Sequence, residues 1–144
     1  MIDIQSLKDY VFDVLGAMRK VHEELGPGLN EYCYQEGLML QLKKDNIDFI
    51  KEMSFHPTYM GVTMNAEFRI DFLCKNDIIV ECKAVQKLVS DHRAQLFNYM
   101  RLLKQPCGIL VNFYPAVYRI ERYFYDKDLK SIIDVNGHRI FEYN

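Results

Sequence analysis

Leu7, Val11, Val14, Met18, Val21 and Leu25 recur at three- and four-residue intervals, the spacing of one apolar stripe on an α-helix. Gly26-Pro27-Gly28 ends that helix. Asn30 is a good N-cap for a second helix, running through Leu38 and Leu42 to about Lys44. Glu31 then lies in its first turn, with Tyr34 one turn further along the same side. From Ile47 the period shortens to that of strands. Phe49 to Tyr59 reads as extended, and His56-Pro57 confines it to an edge or a bend. Gly61 marks a turn, and Val62 to Cys74 resumes as a strand. Ile78 to Ala84, apolar apart from Glu81 and Lys83, reads as a central strand covered on one face. Ser90 is the expected N-cap of a helix from Asp91 to Lys104, which Pro106 closes. Gly108 to Phe113 is then a buried strand, parallel to its neighbour because a helix precedes it. Tyr118 to Tyr125 reads as a last, partly exposed strand, and after Asp126 the signal fades. This order predicts an α/β fold with a mixed central sheet flanked by helices. No Gly-rich strand-to-helix loop marks a doubly wound nucleotide-binding fold, and Gly26-Pro27-Gly28 joins two helices.

Lys75-Asn76-Asp77 reads as the turn of a hairpin between the two central segments. A turn centred on Asn76 sets Ile70 opposite Cys82, Phe72 opposite Val80 and Cys74 opposite Ile78, one wholly apolar face. A one-residue slip would scramble both faces, which supports this register. The other face then carries Asp71 opposite Glu81, Arg69 opposite Lys83 and Leu73 opposite Ile79. Directly opposed side chains have Cβ atoms ~5 Å apart, and like charges so placed destabilise the pair. Two compensations are open: a divalent cation between the carboxylates, or a solvated face on which Arg69 and Lys83 neutralise them diagonally.

With 144 residues, 49% of them apolar, the chain is most simply one domain with a real core. No apolar run is long enough to span a membrane, and Met1 to Tyr10 lacks the basic-then-apolar order of a signal peptide. A cytoplasmic location without membrane association is therefore expected. Cys33, Cys74, Cys82 and Cys107 form no CxxC pair and sit in apolar patterns, which reads as buried thiols, not a zinc site. A net charge of −2 gives no global basic field. Locally, Lys83, Lys87, Arg93, Arg101 and Lys104 face the single acid Asp91, a modest basic stretch after the hairpin.

Five short motifs in this order are similar to the PD-(D/E)XK nuclease superfamily, and within it to the small bacterial family named for its GxxExxY motif. They are Gly28-Leu29-Asn30-Glu31-Tyr32-Cys33-Tyr34, Arg69-Ile70-Asp71, Ile79-Val80-Glu81-Cys82-Lys83-Ala84, His92 to Tyr99, and Gly108 to Phe113. The resemblance implies a core of helix, three antiparallel strands, helix and strand, within a single domain over 1–144 (N-terminal helix 1–25, core 28–125). It implies that Asp71 and Glu81 bind Mg²⁺ or Mn²⁺, with the backbone carbonyl of Cys82 facing the metal and Glu31 as a further acidic contact. It implies that Lys83 orients or activates the attacking water, while Gln95 and Tyr99 position the site or the nucleic acid. Arg69, Tyr34 and His92 are supporting groups, the last two as packing or neighbouring residues and not as ligands. Asn112 satisfies a strand end.

These residue types suit the chemistry, since hard oxygen ligands favour Mg²⁺ or Mn²⁺ over zinc. The expected activity is metal-dependent hydrolysis of phosphodiester bonds in nucleic acid, with DNA ahead of RNA. The alternative is a catalytically silent nucleic-acid-binding or protein-interaction module of the same fold. A homo-oligomer or a protein partner stays open.

Overall fold

The computed structural model describes residues 3–142; the ends of the domain expected over 1–144 (residues 1–2 and 143–144) lie outside the described residues. Helix α1 (Ile4–Leu25) starts where the Asp3 carboxylate accepts the Ser6 N–H, and it buries Val11, Val14, Ala17, Met18 and Val21. Helix α2 (Glu31–Lys44) starts where Asn30 Oδ1 accepts the Cys33 N–H at 2.8 Å. Both helices have the expected apolar faces. Helix α3 (Ser90–Leu103) begins one residue earlier than expected, with Val89 and not Ser90 at its N-cap. The reason lies three residues on: His92 Nδ1 reaches back to accept the Val89 N–H at 3.1 Å, the part that the third helical residue plays in a capping box.

Seven strands form one mixed sheet, in the order β1 (Phe49–Phe55), β4 (Phe68–Cys74), β5 (Ile78–Lys83), β6 (Cys107–Asn112), β7 (Arg119–Asp126), β8 (Ser131–Ile133) and β9 (Arg139–Glu142). Only β5 and β6 run parallel, joined by α3. Helices α1 and α2 pack on one face over Phe72, Cys74, Ile78, Val80 and Val111, and α3 packs on the other over Leu73, Ile79 and Leu110. The central strand β5 is thus covered on both faces, not one. Its two charged residues hid this, because they broke the apolar run that a doubly covered strand shows. Strand β7 is not the last: β8 and β9 extend the sheet. Cys74, Cys82 and Cys107 are buried as expected, and Cys33 only half-buried. No helix among the described residues is long and apolar enough to cross a membrane.

The hairpin pairs as its apolar pattern dictates over Phe72–Val80, Leu73–Ile79 and Cys74–Ile78, with Lys75 and Asn76 turning at φ 54° and 64°. Beyond Phe72–Val80 the ladder stops. At that level the neighbouring strand is irregular too: Glu52 has φ 57°, and it alone between Phe49 and Phe55 has no partner in β4. Phe49 and Phe72 pack beneath α1 and α2, whereas Met53, Phe55 and Ile70 pack beneath α3. Residues two apart share a face on a regular strand. Both strands therefore roll over between these sets, and Ile70 lies on the α3 face, opposite to its expected side. Asp71 sits at the roll.

The expected strand Val62 to Cys74 is also interrupted. Strands β2 (Thr58–Tyr59) and β3 (Val62–Thr63) form a separate small hairpin, closed by Met64 N–H to the Pro57 carbonyl. Its tip is Met60-Gly61, at φ 52° and 74°, with Met60 82% exposed. A left-handed position of this kind favours Asn or Gly. Met60→Asn should stabilise the fold by up to about 1 kcal/mol, read as a higher urea midpoint at unchanged slope. A lower midpoint would show that the methionine packs in a way its exposure denies.

Candidate active site

The roll in β4 frees backbone groups that a regular ladder would have paired, and two carboxylates take them. Asp71 Oδ2 accepts the Cys82 N–H at 2.8 Å, and Glu81 Oε2 accepts the Asp71 N–H at 3.3 Å. The acids of adjacent strands are thereby locked side by side at the end of β5. Glu81 is only 4% exposed and Asp71 half-buried. Burial first, and then the charge of Asp71, push the Glu81 carboxyl well above the usual range, with Lys83 pulling the other way. Burial followed by Asp71 raises Glu31 in the same sense, again opposed by Lys83. Glu31 on α2 thus feels the charges of Asp71 and Lys83 from outside the Asp71–Glu81 interlock.

Lys83, half-buried at the end of β5, donates from Nζ to Gln95 Oε1 on α3 at 3.3 Å. Tyr99, one turn beyond Gln95, is buried against Phe55 and Phe68, with ring centroids 5.8 and 6.1 Å away. Burial first, and then the charges of Glu81 and Asp71, raise the pKa of its hydroxyl. Asn112, fully buried on β6, accepts the Val85 N–H at 3.0 Å and donates to the Val85 carbonyl at 2.8 Å. Phe113 N–H bonds the Lys83 carbonyl at 3.0 Å. Together these bonds fix the chain where it leaves β5, so the position of Lys83 is set by its backbone.

The other expected residues sort by geometry. Tyr34 is fully buried and pins the loop before α2: its hydroxyl donates to the Gly26 carbonyl at 2.6 Å and accepts the Leu29 N–H at 3.1 Å. His92 is occupied in capping α3, and burial followed by the Lys83 charge lowers its pKa. Arg69 is exposed, opposite Ser54 in the β1–β4 ladder, and its charge acts on Glu52 and not on Glu31 or Glu81. Lys83 is the cation that opposes the rise at both Glu31 and Glu81. The sequence pattern did not point to the Arg93–Glu121 pair, a bidentate bridge at 2.6 and 2.7 Å that ties α3 to β7.

The acids suit a hard divalent cation. Each keeps lone pairs beyond the one bond it accepts, and the buried Glu81 faces another carboxylate. Among the described residues no three His, Cys, Asp or Glu side chains are grouped to hold a metal unaided. A cation here would complete its shell with backbone oxygen, water and substrate phosphate, as Mg²⁺ commonly does.

Residues 8–123 match the sequence model of the PD-(D/E)XK nuclease superfamily. The chain belongs to this superfamily. The seven-stranded mixed sheet and its three helices are the PD-(D/E)XK fold, and superfamily membership points to nuclease chemistry on nucleic acid with divalent metals such as Mg²⁺. The solved structure of SSO0001 is similar, with a TM-score of 0.50 and 24% identity over 61% of this chain and 46% of that one. At that identity the likeness is one of fold. No curated protein matches the chain.

Proposed function

We propose that this PD-(D/E)XK chain is a metal-dependent nuclease that hydrolyses phosphodiester bonds, with DNA as the preferred substrate. The observation that carries this reading is the interlock of Asp71 and Glu81 at the end of β5, with Lys83 two residues on. Asp71, Glu81 and the Cys82 carbonyl would hold Mg²⁺ or Mn²⁺, with Glu31 as an outer acidic contact. Such a cation, when bound, polarises the phosphodiester and acidifies a water molecule. Lys83 Nζ supplies positive charge where the attacked phosphate gathers negative charge. Gln95 orients that ammonium group, and Tyr99 closes the apolar wall behind the acids. The GxxExxY motif at Gly28, Glu31 and Tyr34 places the chain in that family in our reading, as one cytoplasmic domain.

Labelled single-stranded and duplex DNA and RNA, incubated with Mg²⁺, Mn²⁺ or EDTA, test this directly. Cleavage with metal and none with EDTA is expected. Mn²⁺ should also protect the fold: a ligand at a hundred times its Kd adds about 2.7 kcal/mol, a rise in Tm of several degrees. Glu81→Gln should abolish that rise. Metal protection without cleavage would favour a silent binding module, and the absence of both effects would defeat the reading.

A further inference from the structure

Lys83 lies on a rung that continues away from the acids. It pairs with Asn112 on β6, and Asn112 pairs with Arg119 on β7. Strands are spaced ~4.8 Å apart, so the rung spans about 10 Å from Lys83 to Arg119. Residues paired in register project to the same face, here the one that α3 covers. Beside the rung opens a cleft of about 340 Å³, lined by Lys87, Arg93, Asn112, Arg119 and Glu121 among others. Its cations come from three elements: Lys87 from the loop after β5, Arg93 from α3 and Arg119 from β7.

The charges in this cleft do not cancel. Glu121 is engaged by both arms of Arg93 and by the Tyr123 hydroxyl at 2.7 Å. Lys87 and Arg119 are exposed and take part in no ion pair among the described residues. Two surplus cations therefore line a polar cleft on the same side of the sheet as Lys83. They are not needed to hold the fold, since the Arg93–Glu121 bridge already ties α3 to β7. A chain with net charge −2 that concentrates cations here has a local attraction for a polyanion without a global one.

We propose that the Lys87–Arg119 cleft holds a backbone phosphate of the nucleic-acid strand flanking the bond to be cut. The strand would then run from Asp71 and Glu81 past Lys83 toward the Lys87–Arg119 cleft. This inference rests on the nuclease reading for the direction of the strand. Phosphate contacts of this kind set register and affinity without reading sequence.

The test compares wild type with Lys87→Ala/Arg119→Ala, and with Lys43→Ala/Lys44→Ala as a control that removes two exposed charges elsewhere. Binding of a fluorescein-labelled oligonucleotide in EDTA is followed by anisotropy across a salt series. Each lost phosphate contact should flatten the slope of log K against log salt by about 0.7–0.9. The cleft variant, which loses one phosphate contact, should thus lose about 0.7–0.9 of slope and about tenfold in affinity near ~100 mM salt, while the control keeps the wild-type slope. With Mn²⁺, its turnover of oligonucleotide should fall about tenfold relative to that of bis(p-nitrophenyl) phosphate, a diester with no neighbouring phosphate.

Unchanged slope and ratio in the cleft variant, with wild type cutting both substrates, would overturn the phosphate site and leave the nuclease standing. An equal change in the control would overturn it as well. A slope change in the cleft variant alone, with wild type inactive on both substrates, would keep the phosphate site and defeat the nuclease. Wild type that neither binds nor cuts would overturn both.

Discussion

Lys83→Ala should lower metal-dependent cleavage by at least about 10²- to 10³-fold, the loss seen when one preorganised electrostatic group is removed from an active site, while the protein stays folded. The side chain is half-buried and makes one long hydrogen bond, to Gln95 at 3.3 Å. Its removal should therefore cost under about 1 kcal/mol of stability. Asp71 needs a different substitution. Asp71→Ala would strand the Cys82 N–H in a partly buried position, at about 1–3 kcal/mol, and so confound chemistry with folding. Asp71→Asn keeps an oxygen for that N–H and loses only the charge that a metal needs. A comparable loss of cleavage is expected, together with loss of the Mn²⁺-dependent rise in Tm. Single-turnover rates, with circular dichroism and Tm on the same samples, decide the matter. Either variant cutting at the wild-type rate while folded would sink the mechanism.

The candidate site was legible to the extent that its geometry depends on local pattern. Alternation fixed three rungs of the hairpin, because each was tied to an apolar face that a slip would expose. The same reasoning failed one rung later, at Asp71. A roll of the chain at Glu52 and Asp71 leaves the hydrophobic pattern untouched, since Ile70 is apolar on either face. What betrays the roll is a left-handed φ at a glutamate, which no alternation of side chains encodes. The burial of Glu81 was hidden for a related reason. A charged residue in a strand reads as an exposed position until α3 is seen to cover it. The two C-terminal strands escaped notice because β8 is three residues long and β9 four, too short for a period to show, and their pairing shifts register between Ile132 and Ile133. Tyr34 could be placed on a helix face as a packing residue, but its partners could not be named. Its partners, Gly26, Leu29 and Phe113, come from a loop and a distant strand end.

That role leads to the largest expected effect on stability. Tyr34 is wholly buried and stacks on Phe113, with ring centroids 4.9 Å apart and planes 16° apart, while its hydroxyl bridges both sides of the loop at Gly26 and Leu29. Tyr34→Phe keeps the stack but strands the Leu29 N–H and the Gly26 carbonyl. A loss of about 1–3 kcal/mol follows. Tyr34→Ala removes the ring as well and should cost about 3–5 kcal/mol through the cavity it leaves, a large share of a domain's ordinary stability of about 5–15 kcal/mol. Urea unfolding measures both. The loop held by Tyr34 leads to Asn30, which caps α2, and to Glu31, which feels the charge of Asp71, so any effect of the tyrosine on the candidate site should pass through the backbone. Tyr34→Phe should then keep most of its cleavage well below its Tm and lose it together with the fold on heating. If instead it lost cleavage as completely as Lys83→Ala at an unchanged Tm, the tyrosine of the Gly28-to-Tyr34 motif would belong to the chemistry, not to the frame.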